Sequence, residues 1–110
     1  MTMPKLREAE PPVNLDRMVD SAREASDFLK ALAHESRLVI LCDLIQGEKS
    51  VGELEELLAL RQSTVSQQLA RLRLEGLVTY RRDEKQVFYS LANDDVRKVI
   101  KLLFDIFCKR

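Results

Sequence analysis

The stretch from residue 61 to residue 76, RQSTVSQQLARLRLEG, constrains the fold of this chain most strongly. Its apolar residues Val65, Leu69 and Leu72 recur at spacings of four and three, which places them on one stripe of a helix. Short hydrogen-bonding side chains occupy the front of this helix and arginines follow behind them. Because Gln, Ser and Thr can meet base edges while Arg meets phosphates, such a helix suits a DNA groove. An ordinary amphipathic surface helix has the same spacing, so that alternative stays open at this point.

The charge distribution around this stretch favours the DNA interpretation. Lys and Arg together number 18, as do Asp and Glu, so the net charge is zero and gives no support by itself. Residues 61–82 contain five arginines and one glutamate, a local charge of +4, whereas residues 43–58 contain five acidic residues and one lysine, a local charge of −4. A basic face on a neutral protein can follow a phosphate backbone as a basic protein does.

Length and composition set the outer limits of the fold. The chain of 110 residues, 45% of them hydrophobic, is enough for one domain with its own core. We expect a flexible arm over residues 1–13, which contain all three prolines, and a single domain over residues 14–110. No apolar run approaches the roughly 20 residues of a membrane helix, and MTMPKLREAEPP is no secretory signal, so a cytoplasmic location is expected.

Two helices are predicted ahead of the central stretch. Asn14 can cap a helix that begins at Leu15, and a second helix is expected from about residue 35 to residue 46, with Gly47 as its C-terminal cap. The first helix carries a narrow seam at alternating spacings of three and four, which is typical of burial against a partner helix. Its members are Leu15, Met18, Ala22, Ala25, Leu29 and Leu32.

A helix-turn-helix is predicted next. Ser50 followed by Glu53 matches a capping box that opens a short helix ending near residue 58. The central helix follows after a tight turn and is stopped by Gly76. A short helix, a turn and a helix with a polar front form the arrangement that reads DNA in the major groove.

A β-hairpin and a final helix complete the predicted fold. Residues 77–82 and 86–91 have the composition of β-strands, and the break at residues 83–85 predicts that they form a hairpin. A hairpin directly after a recognition helix is the wing of a winged helix. The wing offers positive charge to the DNA backbone or minor groove through Arg81, Arg82 and Lys85. Asn93 caps a last helix to about Phe107, whose apolar face is too wide for one small domain to bury. The prediction is a mainly α winged helix-turn-helix with a β-hairpin wing, dimerised through its first and last helices.

Three segments in order give the chain a family resemblance: FLKALAHESRLVIL (28–41), SVGELEELLALRQSTVSQQLARLRLEGLV (50–78) and RRDEKQVFYSL (81–91). Together they resemble the ArsR (ArsR/SmtB) family of winged-helix repressors. The resemblance implies a homodimer that binds an inverted-repeat operator and represses transcription until an inducer weakens DNA binding. Carried over by position, base contacts would come from Gln62, Ser63, Thr64, Ser66 and Gln67, and phosphate contacts from Arg71 and the wing arginines.

Metal sensing and catalysis are not expected. Many members of this family sense metals, but here His34 is the single histidine, and the last helix offers Asp94 and Asp95 without a histidine. Two cysteines cannot supply a three-thiolate arsenic site within one subunit, so neither a metal nor another cofactor is predicted. His34 is expected to cap or pack locally. No acid–base pair with a pocket, Gly-rich phosphate loop or nucleophile set indicates an enzyme.

The two cysteines are the remaining candidates for sensing. Cys42 lies on the second helix and Cys108 at the end of the last, and both could equally be small core residues. Positive charges on Lys101, Lys109 and Arg110 would favour a Cys108 thiolate. The placement resembles the sulfide-responsive branch of the family, which implies that persulfides or oxidants bridge the pair and lower DNA affinity. A repressor without cysteine sensing and a winged-helix protein-interaction module remain the alternatives.

Overall fold

Five helices and three strands make up residues 14–59 and 62–108, the part of the chain that the computed structural model describes. In chain order they are α1 (Leu15–Leu32), α2 (Glu35–Leu44), β1 (Lys49–Ser50), α3 (Val51–Leu58), α4 (Gln62–Leu74), β2 (Val78–Asp83), β3 (Gln86–Leu91) and α5 (Asp94–Phe107). The predicted winged helix-turn-helix is therefore confirmed, with α3 and α4 as its two helices. The predicted arm, residues 1–13, lies outside the described residues.

Three of the predicted helix starts are fixed by side chains that accept hydrogen bonds from the first turn. Asn14 and Asn93 each accept one from the backbone N–H three residues on, at 3.2 and 2.9 Å. At α3 both halves of the capping box form: the Glu53 N–H donates to Ser50 Oγ at 3.1 Å, and the Ser50 N–H donates to the Glu53 carboxylate at 3.0 Å. These hydrogen bonds from Ser50, the backbone one foremost, hold the pKa of Glu53 below its ordinary value.

Glycine ends α4 as the sequence predicts. Gly76 has a φ of 78°, a left-handed conformation that glycine adopts without a Cβ penalty. The Leu77 N–H reaches the Leu72 carbonyl at 2.9 Å and the Gly76 N–H reaches the Arg73 carbonyl at 3.0 Å, the pair of bonds that defines a Schellman motif. The end of α2 differs slightly from the prediction, because the helix stops at Leu44 and a turn carries the chain to Gly47.

The wing contains one strand more than the sequence predicted. β1 pairs antiparallel with β3, matching Lys49 with Tyr89 and Ser50 with Phe88, and the sheet order is β1-β3-β2. A strand of two residues has no periodicity to recognise, so its pairing could not be read from the sequence. The hairpin loop is also shorter than predicted, since Asp83 pairs with Gln86 and two residues connect the strands.

The core lies between α2, α4, α5 and the base of the wing. The apolar stripe of α4, formed by Val65, Leu69 and Leu72, is fully buried there. Most of α1 contributes little to this core, since Ala31 and Leu32 at its end are its two fully covered side chains. The described helices include none that is long and apolar enough to cross a membrane.

Candidate functional site

The outer face of α4 carries short polar side chains in a helical row. Ser63, Ser66 and Gln67 are exposed at positions i, i+3 and i+4, and Ala70 continues the row at i+7. The buried stripe holds the opposite face of the helix against the core, so this row points away from the protein. Thr64 is half-buried beside it. Gln62 begins the helix, and its side chain lies outside the described part of the structure.

The basic residues predicted to meet phosphates differ in how firmly they are held. Arg82 and Lys85 are exposed on the wing. Arg71 is also exposed, and its Nε lies 3.1 Å from a carboxylate oxygen of Glu75 one turn further along α4. An exposed pair at this spacing contributes only a few tenths of a kcal/mol, so a DNA phosphate can replace Glu75 at small cost.

Arg81 is held by several groups at once. Its Nε lies 3.0 Å from Glu48, and its Nη2 contacts the second oxygen of the same carboxylate. The guanidinium also lies over the Phe88 ring, 4.7 Å from the centroid, and Asp83 is 3.8 Å from Nη1. Hydrogen bonding from Arg81 lowers the pKa of Glu48. The sequence predicted Arg81 for the phosphate backbone, but in this structure its guanidinium ties the wing to the turn before β1.

A stacked contact between α4 and the wing was missed in the sequence. The Arg73 guanidinium lies over the Tyr80 ring, 4.4 Å from its centroid, and the Tyr80 ring contacts Tyr89 of the next strand in a tilted arrangement, with 5.9 Å between the centroids. The signal available for this contact was the cross-strand position of the two tyrosines in the predicted hairpin. The contact fixes the end of α4 relative to the wing, so the two surfaces that could meet DNA are joined.

The two cysteines lie together. Cys42 is half-buried on α2, Cys108 is exposed directly after α5, and both thiols are free. Both line one cavity of about 430 Å³ between α2, α3 and α5. Burial raises the pKa of the Cys42 thiol, and the neighbouring Cys108 raises it further. Cys108 is the more accessible of the two thiols.

Part of the wide apolar face of α5 belongs to this cavity. The surplus of that face was predicted to pack against a partner subunit, but Leu103, Phe104 and Phe107 form a wall of the cavity. Leu38 and Val39 of α2 face them. The available signal was that Cys108 follows Phe104 by one helical turn, as Cys42 follows Leu38, so each cysteine continues an apolar row.

The other residues considered for sensing have ordinary roles. Lys101 pairs with Asp105 at 2.7 Å, so its charge is shared with an acid one turn away. Lys109 and Arg110, which were expected to favour a Cys108 thiolate, lie outside the described residues. His34 occupies the N-terminal cap position of α2, but its exposed side chain does not make the expected capping hydrogen bond. Within residues 14–59 and 62–108, no three His, Cys, Asp or Glu side chains cluster closely enough to bind a metal ion.

A polar helix face beside a wing, joined to a buried helix-turn-helix core, defines a winged-helix DNA-binding regulator of transcription. Residues 34–80 match the profile described as "Bacterial regulatory protein, arsR family". The chain belongs to the ArsR family. It is therefore a DNA-binding transcriptional regulator and not an enzyme.

Curated relatives and solved structures agree with this assignment. The chain is 50% identical to the Biofilm growth-associated repressor of Agrobacterium fabrum over 87% of its own length and 82% of the relative's. It is 46% identical to the transcriptional activator HlyU of Vibrio cholerae over 97% of both chains. The structure of reduced HlyU from Vibrio cholerae matches with a TM-score of 0.82, covering 86% of this chain and 99% of that one. The structure of the repressor BigR from Xylella fastidiosa matches with a TM-score of 0.80 and 42% sequence identity, covering 87% of this chain and 95% of that one.

Proposed function

We propose that this regulator is a thiol-switched repressor: a homodimer that binds an inverted-repeat operator and releases it when reactive sulfur species bridge Cys42 and Cys108. The observation that carries the proposal is that both thiols line one cavity between α2 and α5. Relatives named as repressors support repression, and the description of one solved relative as reduced supports a redox switch.

Exposed apolar side chains on α1 and α5 support the dimer. They are Leu15, Met18, Val19 and Leu29 on α1, and Leu102 and Ile106 on α5, each at least 49% exposed. Such a concentration of apolar surface on two helices indicates burial against a second copy. A relative from Mycobacterium bovis, described as a homodimeric winged helix-turn-helix domain, is 30% identical with a TM-score of 0.74 over 87% of this chain.

In the proposed complex, two copies of α4 enter successive major grooves about 34 Å apart. The exposed row of Ser63, Ser66 and Gln67 would contact base edges, together with Gln62 and Thr64 at the start of the helix. Arg71 and the wing residues Arg82 and Lys85 would contact phosphates. Arg81 would join them by exchanging one oxygen of Glu48 for a phosphate oxygen.

The proposed switch is a two-step thiol exchange. The exposed Cys108 thiolate attacks the sulfane sulfur of an organic persulfide, RSSH, which forms Cys108–S–SH and releases the thiol RSH. Cys42 then gives up its proton and attacks the inner sulfur of that persulfide, forming the Cys42–Cys108 disulfide and releasing H₂S. Both protein sulfurs are oxidised, and the sulfane sulfur is reduced to sulfide. The exposure of Cys108 and the half-buried position of Cys42 favour this order, because a reagent from solution reaches Cys108 first.

A bridge between Cys42 and Cys108 would change DNA affinity through α2 and α5, the elements that carry the two cysteines. α2 packs on the helix-turn-helix, whereas α5 belongs to the proposed dimer interface, so a covalent link between them fixes the DNA-reading unit relative to the dimer axis. A shift of a few ångströms between the two copies of α4 would cost base contacts at one half-site. Moving the population from 99% bound to 99% free requires a differential affinity of roughly 5.5 kcal/mol.

The test uses Cys42→Ser and Cys108→Ser with a labelled operator and fluorescence anisotropy. Reduced forms of all three proteins are expected to bind equally, and persulfide treatment is expected to release only the wild type. Intact-mass spectrometry should find a persulfide on Cys108 in Cys42→Ser and no bridge in either variant. Release of DNA by either variant would refute the switch. If persulfide treatment leaves the DNA affinity of the wild type unchanged, the protein is a repressor without cysteine sensing. If DNA binding is absent or does not depend on salt, the protein is an interaction module.

A further inference from the structure

The cavity around the two cysteines has almost entirely apolar walls. Besides Cys42 and Cys108, eight described residues line it: Leu38, Val39, Asp43, Gln46, Leu57, Leu103, Phe104 and Phe107. Asp43 is the single charged group among them, and none is Lys, Arg or His. A reagent that carries carboxylates would lose hydration against these walls and would be repelled by Asp43.

We propose that this cavity selects the sulfur donor: it admits uncharged, apolar sulfane carriers such as dialkyl trisulfides and disfavours polyanionic carriers such as glutathione trisulfide. This inference rests on the proposed thiol switch and names the class of its reagent. The volume of about 430 Å³ lies within the range of roughly 300–1,000 Å³ that holds small organic ligands. Both alkyl groups of a small trisulfide can therefore contact apolar walls while its sulfurs meet the thiols.

The reaction with a trisulfide balances without any further reagent. The Cys108 thiolate attacks a terminal sulfur of RSSSR, forming the mixed disulfide Cys108–S–S–R and expelling the persulfide anion RSS⁻, which takes up a proton to give RSSH. Cys42 then attacks the Cys108 sulfur, forming the intramolecular disulfide and releasing RSH. Two protein thiols are oxidised, and the trisulfide is reduced to RSSH and RSH.

The experiment compares dipropyl trisulfide with glutathione trisulfide on the full-length reduced protein. The rate of bridging is measured by quenching with iodoacetamide and intact-mass spectrometry, because bridged protein takes up no alkyl group at either cysteine. Each rate is divided by the rate of the same donor with 2-mercaptoethanol, which removes the intrinsic reactivity of the donor. A preference of roughly tenfold or more for dipropyl trisulfide is expected, since contacts of a few methylenes in an apolar pocket discriminate by that factor.

Matched lysine substitutions test whether the cavity causes the preference. Gln46→Lys adds a cation at the cavity lining and is expected to lower the preference several-fold by attracting the carboxylates of glutathione trisulfide. Gln86→Lys makes the same change at the hairpin, outside the lining, and should leave the preference unaltered. Val39→Lys puts the charge on the wall itself and should lower the preference further.

The possible outcomes separate this inference from the proposed switch. If the wild type forms the bridge with both donors at equal normalised rates, the selection is wrong while the switch stands. An equal effect of Gln46→Lys and Gln86→Lys would also overturn the selection, because it would then reflect net charge alone. If neither trisulfide produces the bridge, the selection is wrong, and persulfide treatment of the wild type and the two serine variants decides separately whether the switch stands.

Discussion

Ala59, the residue after α3, adopts a conformation that alanine rarely takes. Its φ of 53° and ψ of 33° lie in the left-handed region, where the Cβ of an L-residue crowds the following carbonyl at a cost of about 1–2 kcal/mol. Ala59→Gly removes that contact, although the glycine also loses more entropy on folding. We therefore expect the variant to be more stable by about 0.5–1 kcal/mol, measured by urea unfolding.

The same substitution at Ala70 is the control for this prediction. Ala70 is exposed within α4, where glycine weakens a helix by about 1 kcal/mol, so Ala70→Gly should lower the free energy of unfolding. Opposite signs at the two positions would show that the backbone conformation decides the effect. A loss of stability in Ala59→Gly would contradict the interpretation.

Single residues also mark the limit of what the sequence could predict. The sequence contains Cys42 and Cys108, and the spacing of the apolar residues around them predicted the helix on which each lies. Their proximity was not, because it depends on how α2 and α5 cross, and nothing local encodes that crossing. The positive surroundings expected for Cys108 depended in part on Lys101, which pairs with Asp105 instead.

At the scale of elements, the sequence predicted what has a local cause. Caps at Asn14, Ser50 and Asn93 set the starts of three helices, and Gly76 ended another, because each acts within a few residues through its own hydrogen bonds or backbone freedom. The pairing of β1 with β3 joins segments that lie 40 residues apart, counted from Lys49 to Tyr89, and was missed. The cavity was missed for the same reason, since three separate helices form it.

The ion pair of Glu48 with Arg81 is another such long-range contact of the wing. Because Arg81 lowers the pKa of Glu48, the pair stabilises the fold above the ordinary glutamate value of 4.5, and this contribution disappears as pH falls through the lowered pKa. Glu48→Gln should therefore be less stable than the wild type at pH 7, with the difference vanishing in strong acid. Urea unfolding of both proteins from pH 7 down to strong acid measures this difference in stability.

Glu56→Gln is the matched control for the ion pair. Glu56 is exposed on α3, and the change removes one carboxylate there without touching Arg81. Its difference from the wild type is expected to depend less on pH. A pH dependence as steep as that of Glu48→Gln would mean that net charge, and not the ion pair, controls the effect.

At the scale of the whole molecule, the single chain leaves apolar side chains exposed on α1 and α5. The seam predicted on α1 is buried at Leu32, but Leu15 and Leu29 remain 71% and 59% exposed. On α5, Val96 and Ile100 enter the core while Leu102 and Ile106 stay 58% and 50% exposed. The sequence pattern identified both faces correctly as surplus to one domain, because apolar periodicity reports burial without specifying which molecule supplies the cover.

A charge placed on this surface should separate the proposed dimer. Leu102→Glu would bury an unpaired carboxylate in the interface, so we expect it to sediment as a monomer at micromolar concentrations at which the wild type is a dimer. Its affinity for an inverted repeat should fall by roughly 10²-fold or more, because the two half-sites would no longer be bound by linked heads. Leu74→Glu makes the same change at a leucine that is 84% exposed on α4, and it should remain dimeric. A dimeric Leu102→Glu would exclude this part of α5 from the interface, whereas a monomeric wild type would contradict the dimer itself.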